Sequence, residues 1–159
     1  MEKFEGCPGS RMMRFNSSNE SDTEVTAGKI KSQLAQWPIQ MHLINPAAPY
    51  YQKADVLLAA DCVAYALGDF HRDYLHGKSL AIACPKLDQG QDIYLEKIKS
   101  WIDDAKINTL TVLIMQVPCC GGLLNLARKA AENATRKVPI KYLVVGVQGE
   151  ILQEEWVAA

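Results

Sequence analysis

Five cysteines are the residues of this chain best suited to chemistry: Cys7, Cys62, Cys84, Cys119 and Cys120. The last two are adjacent, in Pro118-Cys119-Cys120-Gly121-Gly122. An apolar run, Leu110 to Val117, leads into that stretch, and a helical pattern, Leu123 to Ala134, leads out of it. Vicinal thiols beside two glycines contribute little to packing. They suit a binding turn better. A helix N-terminus favours the thiolate, and thiolates hold soft metals and iron–sulfur clusters. Gly121 and Gly122 let backbone N–H groups approach a cluster or anion closely. Pro118, like Pro85 after Cys84, stiffens its turn.

The elements that position these residues follow from the apolar runs. Ala54–Ala60, Ser79–Ala83, Thr109–Val117 and Ile140–Val147 are short and apolar on both faces, as strands of a buried parallel sheet are. Ile39–Ile44 reads as a further strand, for five in all. Helical patterns fall between them: Lys29–Gln36, Cys62–Leu67, Asp92–Ala105 and Leu123–Ala134. In Asp92–Ala105, Ile93, Ile98, Trp101 and Ile102 share one face. Gly149–Val157 reads as a tail. The alternation predicts an α/β fold, a three-layer domain with a mainly parallel, roughly five-stranded sheet over residues 29–159. Residues 1–28 read as an N-terminal arm and flexible linker, because Asn16–Thr26 is polar throughout.

In an open parallel sheet, ligands bind beyond the carboxyl ends of the strands. Cys62 follows Ala60, Cys84 follows Ala83, and Cys119-Cys120 follow Val117. Parallel strands therefore bring four thiols to one sheet edge, with neighbouring strands roughly 4.8 Å apart. Taken singly, Cys62 or Cys84 reads as a small core residue; three strand ends together read as a site. Its further lining is expected from Asp61, Pro85, Lys86, Pro118, Gly121 and Gly122, with His71 as a neighbour. Asp61 also suits a helix cap. His42 and His76 read as structural, and Met12-Met13 as packing.

Composition narrows the function. The chain has 159 residues, 48% hydrophobic, and a formal net charge of −1. That is one domain with a full core. Nothing points to nucleic acid or an anionic membrane surface, and no apolar run is long enough for a bilayer span. The first twenty residues lack a signal-peptide pattern, so a cytoplasmic protein is expected. An odd cysteine count in such a chain argues against a disulfide framework.

Four runs together resemble a known family: Ser32-Gln33-Leu34-Ala35-Gln36-Trp37-Pro38, Ala59-Ala60-Asp61-Cys62-Val63-Ala64, Cys84-Pro85-Lys86-Leu87-Asp88 and Val117-Pro118-Cys119-Cys120-Gly121-Gly122. They resemble the C-terminal domain of ferredoxin-like, 4Fe-4S-binding proteins of unknown role from anaerobic bacteria and archaea. Cys7-Pro8-Gly9-Ser10 looks like that family's junction motif. The family's Cys-x-x-Cys-x-x-Cys ferredoxin run does not occur in this sequence. A weaker similarity links Cys84 and Cys119-Cys120-Gly121 to the cysteine-rich domain of heterodisulfide-reductase-type proteins, without the later Cys-x-x-Cys.

The resulting expectation is a redox or electron-transfer domain. Cys62, Cys84, Cys119 and Cys120, with Cys7 as a possible fifth, would hold an iron–sulfur cluster, or zinc as the alternative. A ferredoxin or another redox protein would be the partner, and a homodimer is possible. Two other readings stay open. One is a metal-free thiol enzyme or thiol–disulfide protein using Cys119 or Cys120; the other is a non-catalytic docking module for a ferredoxin.

Overall fold

The computed structural model describes residues 8–15 and 29–157. Cys7 and the polar Asn16–Thr26 segment lie outside the described residues. The main sheet has five strands: β3 (Asp55–Ala60), β4 (Ser79–Ala83), β5 (Thr109–Met115), β6 (Ile140–Val145) and β7 (Ile151–Trp156). Their order is β4-β3-β5-β6-β7. The first four are parallel, and β7 returns antiparallel to β6. Two residues of the arm, β1 (Met13–Arg14), pair antiparallel with β2 (Gln36–Trp37). The Trp37 indole N–H donates to the Gly9 carbonyl at 2.7 Å, so Pro8–Phe15 folds back onto the domain.

Three helices connect the parallel strands: α1 (Val63–Ala66), α2 (Gln91–Asp103) and α3 (Gly121–Asn133). The chain steps one way from β3 to β4 and the other way from β4 to β5 and β5 to β6. Right-handed crossovers therefore put α1 on one face and α2 with α3 on the opposite face, and α2 and α3 pack on each other. The expected layers are present. The core fills both sides of β3 and β5, where Val56, Leu57, Leu58, Val112 and Leu113 are fully buried, and Ile98, Trp101, Leu123 and Ala127 meet them from the helices.

Three expected elements differ. Lys29–Gln36 is not helical but extended, leading into β2. Its segment lies along the edge of β4, where the Gln36 side-chain amide takes the place of a strand. It donates to the Leu80 carbonyl at 2.6 Å and accepts from the Leu80 N–H at 3.0 Å. Ile39–Ile44 makes a single bridge, Gln40 to Ile82, and then turns. Gln40 accepts from both Leu43 and Ile44 N–H, closing the turn after one bridge. The fifth strand is the tail, as β7. Its mixed Gln-Glu-Glu composition hides the pattern, because the strand sits at the sheet edge and is mostly exposed. Phe70–Leu75, an irregular stretch by sequence, is one π-helical turn.

Candidate thiol-lined site

Strands β3 and β5 are neighbours, but the chain leaves them toward opposite faces. That is the switch point at which an open α/β sheet leaves a crevice. A cavity of about 220 Å³ lies there. Ala60, Asp61 and Cys62 reach it from the end of β3, Cys84 and Pro85 from β4, Met115, Val117, Cys119 and Cys120 from β5, and Val147 from the turn after β6. All four parallel strands thus contribute a wall.

Each thiol has a distinct setting. Cys62 immediately precedes α1 and is exposed. Cys84 is half-buried in a turn fixed by Asp88. The Asp88 carboxylate accepts from the Cys84 N–H at 3.0 Å and from the Tyr94 hydroxyl at 2.5 Å, tying the turn to α2. Gln91 adds a bond from its side-chain amide to the Pro85 carbonyl. The Leu87 N–H donates to the Cys84 sulfur at 3.4 Å.

Cys119 is exposed and Cys120 buried, in a 3-10 turn, Pro118–Cys120, that runs directly into α3. The Cys120 N–H closes that turn on the Val117 carbonyl at 3.1 Å. Burial, first, holds the Cys120 thiol above its ordinary value. The nearby Cys119 and Cys62 sulfurs push the same way, against a backbone hydrogen bond at Met115. A helix start alone would favour the thiolate; for Cys120 desolvation wins.

Asp61 lines the cavity, but it does not cap α1: the residue before that helix is Cys62, and no side-chain cap bond forms. Its N–H instead donates to the Ala83 carbonyl at 3.1 Å, holding the ends of β3 and β4 together. One carboxylate oxygen, Oδ1, is enclosed without a hydrogen-bond partner. Burial and the charge of Asp88 raise the Asp61 carboxyl above the usual range, while a bond with Gln40 lowers it. The neutral form is the cheaper one to enclose.

The other expected lining residues stand apart from the cavity wall. Pro118 and Lys86 are exposed, and Gly121 and Gly122 open α3. Gly122 packs behind the site against Pro85. His71 is occupied elsewhere: its Nδ1 accepts from the Gln33 N–H at 3.0 Å. His76 bonds the Gln33 side chain at 2.8 Å. Both histidines pin the extended segment before β2. His42 bonds the Gln89 carbonyl and lies against the Tyr94 ring, with centroids 4.5 Å apart.

Sequence reasoning missed Met115, Val117 and Val147, which make the wall apolar, and Asp88, which fixes Cys84. The spacing Cys84-x-x-x-Asp88 carries the signal for the last, since an Asp four residues on can bond back to the N–H of a turn. Among the described residues, no three His, Cys, Asp or Glu side chains are already gathered in a metal-holding group.

The comparisons agree with the architecture. A family model described as a Rossmann-like domain matches residues 48–158, and the chain belongs to that family. It is also similar to a relative from Archaeoglobus fulgidus described as an uncharacterized protein, 31% identical over 121 residues, covering 75% of this chain and 83% of the relative. No solved structure matches the chain. The fold carries no ligand with it. The sequence has no G-x-G-x-x-G run of the dinucleotide-binding kind, and Cys-Cys-Gly-Gly stands at the β5–α3 turn.

Proposed function

We propose that the cavity is a thiolate site for a soft metal centre, with an iron–sulfur cluster as its preferred occupant and redox or electron transfer as its role. One observation carries the reading. Cysteines from three separate strand ends border a single cavity at the switch point of the sheet.

The donor set fits such a group. Sulfur donors select iron–sulfur clusters and zinc over hard cations. The Leu87 N–H to Cys84 sulfur bond is of the kind that tunes a cluster's potential. Ala60, Met115, Val117 and Val147 give an apolar wall, and such a wall limits solvent access to a bound centre. A cluster held there would supply one-electron transfer. The finer likeness, to the ferredoxin-like 4Fe-4S-binding family, favours a cluster over zinc and a ferredoxin as the electron partner. The residues' own part is to deprotonate, to clamp from three loops, and to keep water away.

Protein purified without oxygen tests this. The expected result is iron and acid-labile sulfide in near-integral ratio to protein, a broad thiolate-to-iron absorption band, and loss of both in Cys84→Ser. Metal-free protein after anaerobic reconstitution with ferrous iron and sulfide overturns it. In that event the proximity of the Cys119 and Cys120 sulfurs favours thiol–disulfide chemistry instead.

A further inference from the structure

We infer that two copies of this chain pair mouth to mouth across the thiol-lined cavity, about a twofold axis that sets Lys86 of each copy against Glu150 of the other. The pairing is stated for metal-free protein, so it goes beyond the thiolate-site reading and does not depend on it.

The rim of the cavity is apolar where loops are ordinarily polar. Tyr65 is 93% exposed, Leu87 78%, Val147 63% and Val117 37%. Exposed apolar residues scattered singly mean little; gathered around one opening they mark an interaction surface. These four stand on the loops that wall the cavity. Tyr65 is on α1, the helix that follows Cys62. Leu87 shares the Cys84 turn, with its N–H on the Cys84 sulfur. Val117 leads into Cys119, and Val147 follows β6. The loops also touch one another around the opening. Pro85 packs on Gly122, the Gln116 side chain accepts from the Val147 N–H at 3.1 Å, and Gly149 lies against the Ala66 carbonyl at the end of α1. The rim is therefore one continuous surface at one end of the domain.

Charge selects the occupant. From Gln116 to Gly122 no residue is charged. Lys86 stands in the loop after β4, at one margin of the parallel strands, and Glu150 in the β6–β7 turn, at the other. Both are exposed, and neither has an ion-pair partner among the described residues. Of the carboxylates between them, Asp61 and Asp88 are half-buried, and Asp88 is committed to the Cys84 N–H and the Tyr94 hydroxyl. The cavity lies between β3 and β5, midway along the row β4-β3-β5-β6. A twofold axis through it reverses that row, so β4 of one copy meets the β6–β7 turn of the other and each free charge meets its opposite. A net charge of −1 per chain opposes pairing little. The apolar rims then cover each other, and Cys62 and Cys119 of both copies leave solvent for one shared enclosure. A redox partner competes with the second copy for the same face.

Sedimentation velocity of the full chain, reduced and stripped of metal with a chelator, tests this. The expected result is a reversible monomer–dimer equilibrium. Tyr65→Ser and Val147→Ser each weaken it by about tenfold or more, since each change counts twice in the pair. Lys86→Glu and Glu150→Lys alone weaken it by about fivefold, and the double variant returns to within about twofold of wild type. A second measurement needs no substitution: iodoacetamide labelling of Cys62 and Cys119, fast in dilute protein, slows as concentration rises through the association range. A monomer at every concentration up to about 1 mM, a double variant no better than the single ones, or a dimer broken by Trp156→Glu on β7 but not by the rim variants overturns the inference. Failure to take up iron and sulfide bears on the thiolate site alone and leaves the pairing standing.

Discussion

Gly122 on α3 faces the ring of Pro85 so closely that a Cβ added to the glycine would stand 3.1 Å from the proline Cβ. The two cysteine-bearing turns, after β4 and after β5, thus touch through a residue with no side chain. Gly122→Ala forces the Pro85 ring back by a few tenths of an ångström, and Cys84 is bonded directly to that ring. The expected outcome is a loss of about 1–2 kcal/mol in urea unfolding and weaker iron uptake on reconstitution. Gly121→Ala, where an added Cβ meets nothing, is expected to keep both.

Gly149 is the hinge of the β6–β7 turn. Its φ is +89°, and a Cβ there would collide with the Ala66 carbonyl oxygen at the end of α1. Gly149→Ala combines backbone strain with that clash, and is expected to cost about 2–3 kcal/mol. Because α1 follows Cys62 directly, the variant is also expected to change the alkylation rate of Cys62. Equilibrium denaturation and timed labelling measure the two effects.

Asp61 gives a pH dependence of definite sign. Its carboxyl titrates higher in the fold than in the unfolded chain. Above the ordinary Asp pKa of about 3.9, the folded state therefore holds more protons than the unfolded one. Stability from this group falls as pH rises through that window. Asp61→Asn removes this titrating group. Metal-free Asp61→Asn protein is expected to gain on wild type in melting temperature as pH rises above about 4. A difference that is flat or shrinks over this range counts against the assignment.

Gln36 is fully buried, and its amide satisfies both backbone groups of Leu80. Gln36→Leu keeps the bulk but leaves the buried Leu80 N–H unpaired, at about 1–3 kcal/mol if no water enters, while the Leu80 carbonyl keeps its bond from the Tyr51 hydroxyl. Gln36→Glu keeps the acceptor for the Leu80 N–H but sets a carboxylate against the Leu80 carbonyl. It is expected to fall below Gln36→Leu at neutral pH and to recover on acidification, as followed by chemical denaturation.

Labelling order should follow exposure and proton affinity. Iodoacetamide is expected to reach Cys62 and Cys119 first, Cys84 next and Cys120 last, the last needing more alkaline pH because burial raises its thiol. Peptide mass spectrometry over time resolves the order.

The four parallel strands were legible because burial on both faces leaves unbroken apolar runs such as Val56–Ala60 and Val112–Met115. Gathering the cysteines at one sheet edge followed from those strands and the binding-edge rule. The order β4-β3-β5, which makes Cys62, Cys84 and Cys119 neighbours, was not legible, since crossovers leave no local trace in composition. Gln36 hid for a related reason: a side chain acting as a strand shows no alternation. β7 hid because an edge strand with Glu154 and Glu155 on opposite faces reads as solvated tail. The unequal burial of Cys119 and Cys120 is the part of the site that helix geometry does convey.

The Gln36 contact also bears on assembly. Together with the bridge from Gln40 to Ile82, it occupies the outer hydrogen-bonding row of β4. The main sheet can then recruit a further strand only beyond β7. A body with one adhesive margin pairs at most once through it and cannot polymerise by that route. A polar side chain thus works as an end-stop, limiting strand-mediated association to a closed pair rather than a fibre.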